Sequence, residues 1–224
     1  GLLQRTGEQF HWYNRDYTTF DDFLDDLSSR KRKTIRRERR AANESDIDIE
    51  IFQGDDLRAE HWDAFYRFYM DTGSRKWGQP YLNREFFSLL SERMADRILL
   101  IMAYREGRPV AGALNLIGSH TLFGRNWGCV EDHPFLHFEV CYYQAIEFAI
   151  QHGLSRVEAG AQGMHKLARG YLPTTTYSAH WISHPGLREA VGDYLIRERQ
   201  AVEIENEALF EHSPFRKTSE SDPK

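Results

Sequence analysis

Residues 97–129 read RILLIMAYREGRPVAGALNLIGSHTLFGRNWGC. Residues 97–104 are a near-continuous apolar run, as a fully buried strand requires, and Glu106-Gly107 follows as a turn. Residues 109–117 make a second strand, and Ser119-His120 turns the chain into a third at 121–129. Three strands joined by short turns form an antiparallel meander. Downstream, Val140, Tyr143, Ala145, Ile146, Phe148 and Ala149 mark a helix over 137–152, and Gly153 suits its C-terminal cap. Strands follow at 155–161 and 175–182, with a short element around 163–170 between them. Upstream, EQFHWY (8–13) reads as a strand. Thr19 caps a helix whose Phe20, Phe23, Leu24 and Leu27 share one face. Ile47, Ile49 and Ile51 alternate with acids, which suggests a half-buried strand ending at Gly54, and helices follow through Trp62–Tyr69 and over 83–94. A closing helix starts at Pro185, and the polar tail 213–224 is expected to be flexible. From Asp46 the order is β-α-α-β-β-β-α-β-α-β, which gives an α+β fold with a mostly antiparallel sheet.

The composition narrows the function class. The chain has 224 residues, 41% of them hydrophobic and 28% charged, with a mean hydropathy of −0.64. No run reaches the roughly 18 apolar residues of a membrane helix, and no secretory signal is evident. Cys129 and Cys141 are the two cysteines. They cannot build a disulfide framework or a four-thiolate zinc site, and their scarcity points to a reducing, cytoplasmic compartment. The net charge is −5, which argues against a nucleic-acid binder that is basic overall. One segment departs from that average. RKRKTIRRERR (30–40) holds eight basic residues against one Glu, or +7, which leaves −12 for the rest. This run reads as a solvated helix face, as a surface for an anionic partner such as tRNA through Arg36, Arg37, Arg39 and Arg40, or as a docking face for an acidic domain.

Five stretches carry a family resemblance: SRKRKTIRRERR (29–40), FYMDTGSRKWGQPYL (68–82), RPVAGALNLI (108–117), GRNWGCVEDHPFLHFEVCYYQAIEFAI (124–150) and VEAGAQGMHKLARGYLPTTTYSAHWI (157–182). Together they resemble the FemAB-like N-acyltransferases, a GNAT-related family labelled for peptidoglycan biosynthesis or recognition. The resemblance implies a GNAT-like sheet and transfer of an acyl group from a thioester or ester to an amine of a small molecule or peptide. It implies that residues 1–45 close a first GNAT-like half and that 46–182 form a complete second half, with 183–212 left as the C-terminal helix read from the sequence. It places the chemistry where strand 121–129 and strand 155–161 part.

EAGAQGMHKLARGY (158–171) is the leading candidate segment. Glu158, or else His165, is the candidate general base. Lys166, Arg169 and Arg125 are candidates for anionic substrate groups. Trp127, Tyr171, Trp77 and Tyr81 are candidate pocket walls, and Gly160, Gln162 and Gly163 are candidate cofactor contacts. The alternative for these residues is a glycine turn with solvated charges and a packed Trp. Acyl-CoA is the cofactor the GNAT resemblance implies, yet the turn where its pyrophosphate belongs reads GCVEDHPFLHFE, with Glu131 and Asp132 in place of a glycine-rich loop. An aminoacyl-tRNA donor, or a module that binds without catalysing, therefore stands beside it. His133, His137 and Glu139 raise a metal site, but Pro134 keeps His133 out of a helix interior, so no metal ligand is assigned.

Overall fold

The computed structural model describes residues 1–44, 46–75 and 80–216. One seven-stranded sheet organises them: β1 (Leu3–Tyr13), β2 (Ile47–Phe52), β3 (Ile98–Arg105), β4 (Arg108–Ile117), β5 (Thr121–Cys129), β6 (Arg156–Glu158) and β7 (Leu172–His180). The spatial order is β2-β3-β4-β5-β6-β1-β7, and every neighbouring pair is antiparallel except β5 with β6. The meander is therefore present, and a helical crossover then lays β6 parallel to β5. This is the GNAT-like plan that the element order implied.

The N-terminal strand is longer than EQFHWY alone suggested. It runs the whole of Leu3–Tyr13 and lies between β6 and β7, pairing His11 with Glu158 and Leu3 with His180. Phe10 and Trp12 drop from it into the same core as Ala111 and Val157. At the 45/46 boundary proposed from the resemblance, sheet and core are thus shared across both sides. Helices α1 (Phe20–Asp26) and α2 (Ser29–Asn43) cover one sheet face, and α3 (Ala59–Arg75) and α4 (Arg84–Met94) cover the other. Thr19 caps α1 through a reciprocal bond with Asp22, as its sequence position indicated. The tail does not leave the body at Ser213. Ser28 N–H donates to Pro214 O and Arg216 N–H donates to Asp26 O, and Phe215 packs edge-on against Phe23. The expected flexible tail is corrected for residues 213–216, and 217–224 lie outside the described residues.

The crossover helix, α5, is not uniform. It comprises Leu136–Phe138, a π-turn over Glu139–Tyr143 and Gln144–Gln151. Such π-turns commonly mark functional positions. Glu139, at this turn, is fully buried and accepts from Arg39 of α2 at 2.9 and 3.1 Å. Arg39 also reaches Glu147 at 2.7 Å. The neighbouring Glu38 is buried and accepts a two-pronged bond from Arg169 at 2.8 and 2.9 Å, together with the Tyr143 hydroxyl. Two consecutive residues of α2 thus lock that helix to α5 and to the short 3₁₀ turn Met164–Arg169.

Removing one member of a buried ion pair strands the other charge at about 3–5 kcal/mol. Glu38→Leu should lower unfolding stability by that order in a denaturant titration. A change under about 1 kcal/mol would show that the pair does not hold α2 in place.

Candidate functional site

The site begins with a strand that stops short. β6 pairs with β5 only through Thr121–Arg156, Leu122–Val157 and Phe123–Glu158. β5 continues to Cys129, while the partner chain segment turns away through Ala159–Gly163. Gly160 (φ 80°) and Gly163 (φ 112°) supply left-handed backbone for that turn. On its other side β5 is irregular against β4: the register shifts beside Leu114, leaving Arg125 without a partner. Bulges of this kind re-aim side chains at sites. The result is a cleft of about 420 Å³ bounded by β4, β5, α5 and the 159–166 segment.

Several expected residues meet there. Arg125 and Trp127 both line the cleft, as do Gln162, Gly163, His165 and Lys166. Trp127 also packs partly against the core. His137 and Tyr142 join them from α5. The Trp127 ring lies 5.1 Å from the His137 ring, and His137 lies 5.9 Å from His165. The Tyr142 hydroxyl and His165 Nε2 are 2.9 Å apart. Burial pushes the Tyr142 phenol well up, with Cys141 adding to the shift, so it stays protonated and donates to His165. His165 is held below its ordinary value, first by desolvation and then by the Arg169 and Lys166 charges. It is therefore neutral at pH 7, with Nε2 as acceptor. Lys166 is buried and donates to the carbonyls of Ala159 (2.5 Å) and Gly160 (3.3 Å).

Other expectations are corrected. Glu158 does not line the cleft. Strand alternation sends Val157 into the core, so Glu158 faces the other way, beside Arg156 at 3.3 Å. His11 stands 3.9 Å from Glu158, but burial and then Arg156 lower His11 to about 4, so at pH 7 the contact is not an ion pair. Arg169 is spent on Glu38 and on the His165 carbonyl at 2.7 Å, stacked 3.4 Å over Phe138, and has no charge to offer a substrate. Tyr171 is fully buried and donates to the Tyr142 carbonyl at 3.2 Å, so it supports the site from behind. Tyr81 is 80% exposed and lies away from the cleft. Trp77 lies outside the described residues. Gly160 contributes its carbonyl to Lys166 rather than a wall. Glu139 is committed to Arg39 and Gln144. His133 pairs with Glu131 at 3.1 Å, apart from His137.

Tyr142 as a cleft residue was missed. No sequence signal marks it: residues five apart diverge on an α-helix, and the π-turn is what brings Tyr142 round to the side of His137. The acyl-CoA expectation meets a poor fit. The turn before α5 carries Glu131, already paired with Arg105 and His133. The Leu136 and Phe138 amides are bonded to the carbonyls of His133 and Phe135. Gly128 is there for packing, since a Cβ would stand 2.4 Å from the Phe68 carbonyl oxygen. These residues do not suit a pyrophosphate.

The His165 ring should titrate with a midpoint below 6.5 when its ring C–H signals are followed by NMR. A midpoint at or above 6.5 would contradict the desolvated, cation-flanked environment described for it.

A search of curated proteins finds no match. Among solved structures, the chain superposes on L-PGS from Bacillus licheniformis with a TM-score of 0.59 at 12% identity, covering 88% of this chain and 67% of that one. The C-terminal domain of a putative lysylphosphatidylglycerol synthetase from Agrobacterium fabrum gives 0.61 at 9% identity, over 88% and 66%. FemX gives 0.58 at 10% identity, over 81% and 63%. These likenesses are of fold, and the chain spans about two thirds of the length of each of these structures. The FemAB-like family, described as peptidoglycan biosynthesis/recognition, matches residues 1–217, and the chain belongs to that family.

Proposed function

We propose that the cleft transfers an acyl or aminoacyl group from an ester or thioester donor to an amine. The observation that carries this reading is the bond from Tyr142 to a neutral His165, inside a cleft opened by two parting strands. The amine nitrogen attacks the donor carbonyl carbon. The phenolic oxygen accepts the amine's proton as its own proton passes to His165 Nε2. The imidazolium then returns a proton to the leaving oxygen or sulfur. Desolvation keeps the His165 imidazole neutral and ready to accept that proton, and by disfavouring the imidazolium it favours passing the proton on to the leaving group. Trp127 offers a flat wall for the substrate, and the exposed Arg125 offers a cation for an anionic group.

A specific observation favours aminoacyl-tRNA over acyl-CoA as donor. The turn before α5 does not suit a pyrophosphate, whereas α2 presents a separate cationic stripe. Its arginines divide by helical face. Arg32, Arg36 and Arg39 bond to Asp25, Asp21 and Glu139. Arg30, Lys33, Arg37 and Arg40 are exposed and fall within one arc of the helix, with no ion pair found for them among the described residues. Of the four arginines first assigned to tRNA, Arg39 is committed to Glu139 and Arg36 to Asp21, so the stripe shifts to Arg30, Lys33, Arg37 and Arg40. Four such cations spaced along about three helical turns suit a phosphodiester backbone.

The test is transfer to hydroxylamine, a small amine that traps acyl groups as hydroxamates. Lysyl-tRNA should yield hydroxamate with the wild-type chain, and His165→Asn and Tyr142→Phe should each slow it by about 10²-fold or more. Equal rates in wild type and both variants would sink the proposed base. Changing Arg30, Lys33, Arg37 and Arg40 to Gln should reduce the salt dependence of tRNA binding by roughly three units of slope. An unchanged slope would remove α2 as the tRNA face.

A further inference from the structure

The 3₁₀ turn Met164–Arg169 carries two buried cations, and the fold treats them differently. Arg169 is neutralised by Glu38. Lys166 is just as buried, yet no carboxylate pairs with it among the described residues. Buried charges are ordinarily paired, because an isolated one is costly to desolvate. Lys166 instead spends two of its three N–H donors on the carbonyls of Ala159 and Gly160, at the point where β6 ends and leaves β5. Those two bonds fix the ammonium in space. Beyond them lies the Phe10 ring, 5.9 Å away. The third N–H is left for the cleft that Lys166 lines.

We propose that Lys166 is a catalytic residue of this cleft, donating a hydrogen bond to the oxyanion that forms on the donor carbonyl when the amine attacks. The inference rests on the transfer reading given above. As the amine lone pair forms the new C–N bond, the carbonyl π pair moves onto oxygen and the charge develops beside the ammonium. Lys166 keeps its proton throughout. When the intermediate collapses, the C–O or C–S bond to the leaving group breaks, and that group takes the proton held by His165. A fixed donor in a water-poor site is the arrangement that stabilises developing negative charge most effectively. The groups sharing the cleft from other elements are Cys141, Tyr142 and His137 on α5 and Arg125 on β5, with His165 on the same turn. None is an acid that would quench the ammonium. Burial lowers Lys166 to about 8, with Cys141 opposing, so the donor is charged at pH 7 and is lost as pH rises through 8.

The test uses the full chain and has two arms. In the first, hydroxamate formation from lysyl-tRNA is followed against pH. The wild-type rate should fall above pH 8. Lys166→Gln should lower the pH 7 rate by about 10²–10³-fold. Lys166→Arg, which keeps the charge, should recover part of that rate and lose the alkaline fall. In the second arm, methylphosphonate, a tetrahedral anion, is added to chain carrying ¹³C-labelled lysine. It should shift the Lys166 side-chain signal and raise its midpoint. A Lys166→Gln rate within about threefold of wild type, or a Lys166 signal indifferent to methylphosphonate while transfer proceeds, overturns the role of Lys166 alone. No transfer by the wild-type chain from lysyl-tRNA or acetyl-CoA overturns the transferase reading and this role with it.

Discussion

The buried pairing of Glu38 with Arg169, and of Arg39 with Glu139, is the constraint on which the site depends. Neither pair is local. The partners are 131 and 100 residues further along the chain. Arg169 extends the link one step, from Glu38 to the carbonyl of His165. Tyr143, which donates to the same carboxylate, stands next to Tyr142 on the π-turn. The two residues that touch in the cleft, Tyr142 and His165, are therefore both tied to Glu38 through their chain neighbours. A basic helix that looked like a surface feature is a structural clamp on its inner face. Its outer face remains open to an anionic partner.

The sheet explains why the cleft exists where it does. A parallel strand of three residues cannot extend the ladder beside a nine-residue β5. Backbone groups beyond Phe123 must find other partners or face the cleft. Lys166 donates to the Ala159 carbonyl just past the end of that ladder, and the Arg125 bulge opens the opposite wall. The cleft is thus a consequence of strand length and register before it is a matter of particular side chains.

Much of this frame is legible in the sequence. The meander shows because its strands are apolar and its turns are short. The amphipathic helices show through their spacing, and the parting of β5 and β6 is what the family resemblance implies. What is not legible depends on pairing at a distance. Residues 1–7 are mostly polar and give no sign that they run between two other strands. Glu139 sits in the first helical turn, where a carboxylate is favoured anyway, so nothing local reveals that it is a buried acceptor for Arg39. Lys166 and Arg169 lie three apart and read as one cationic face, whereas Lys166 bends to the Ala159 carbonyl beside the cleft and Arg169 reaches Glu38. Glu158 appeared to end a strand beside the site, but period-two alternation from the buried Val157 turns it away.

The central claim is that the acyl donor's carbonyl lies between His165 and Lys166. The most direct measurement is a crystal structure of the full chain with puromycin, an aminoacyl-nucleoside amide that mimics the end of a charged tRNA and cannot be turned over. The account requires the amide carbonyl oxygen within hydrogen-bonding distance of Lys166 Nζ, with Tyr142 and His165 beside the carbonyl carbon. Puromycin bound between β1, β7 and the C-terminal helix Pro185–Phe210, where a second cavity of about 430 Å³ lies, with the β5–β6 cleft empty, would contradict it.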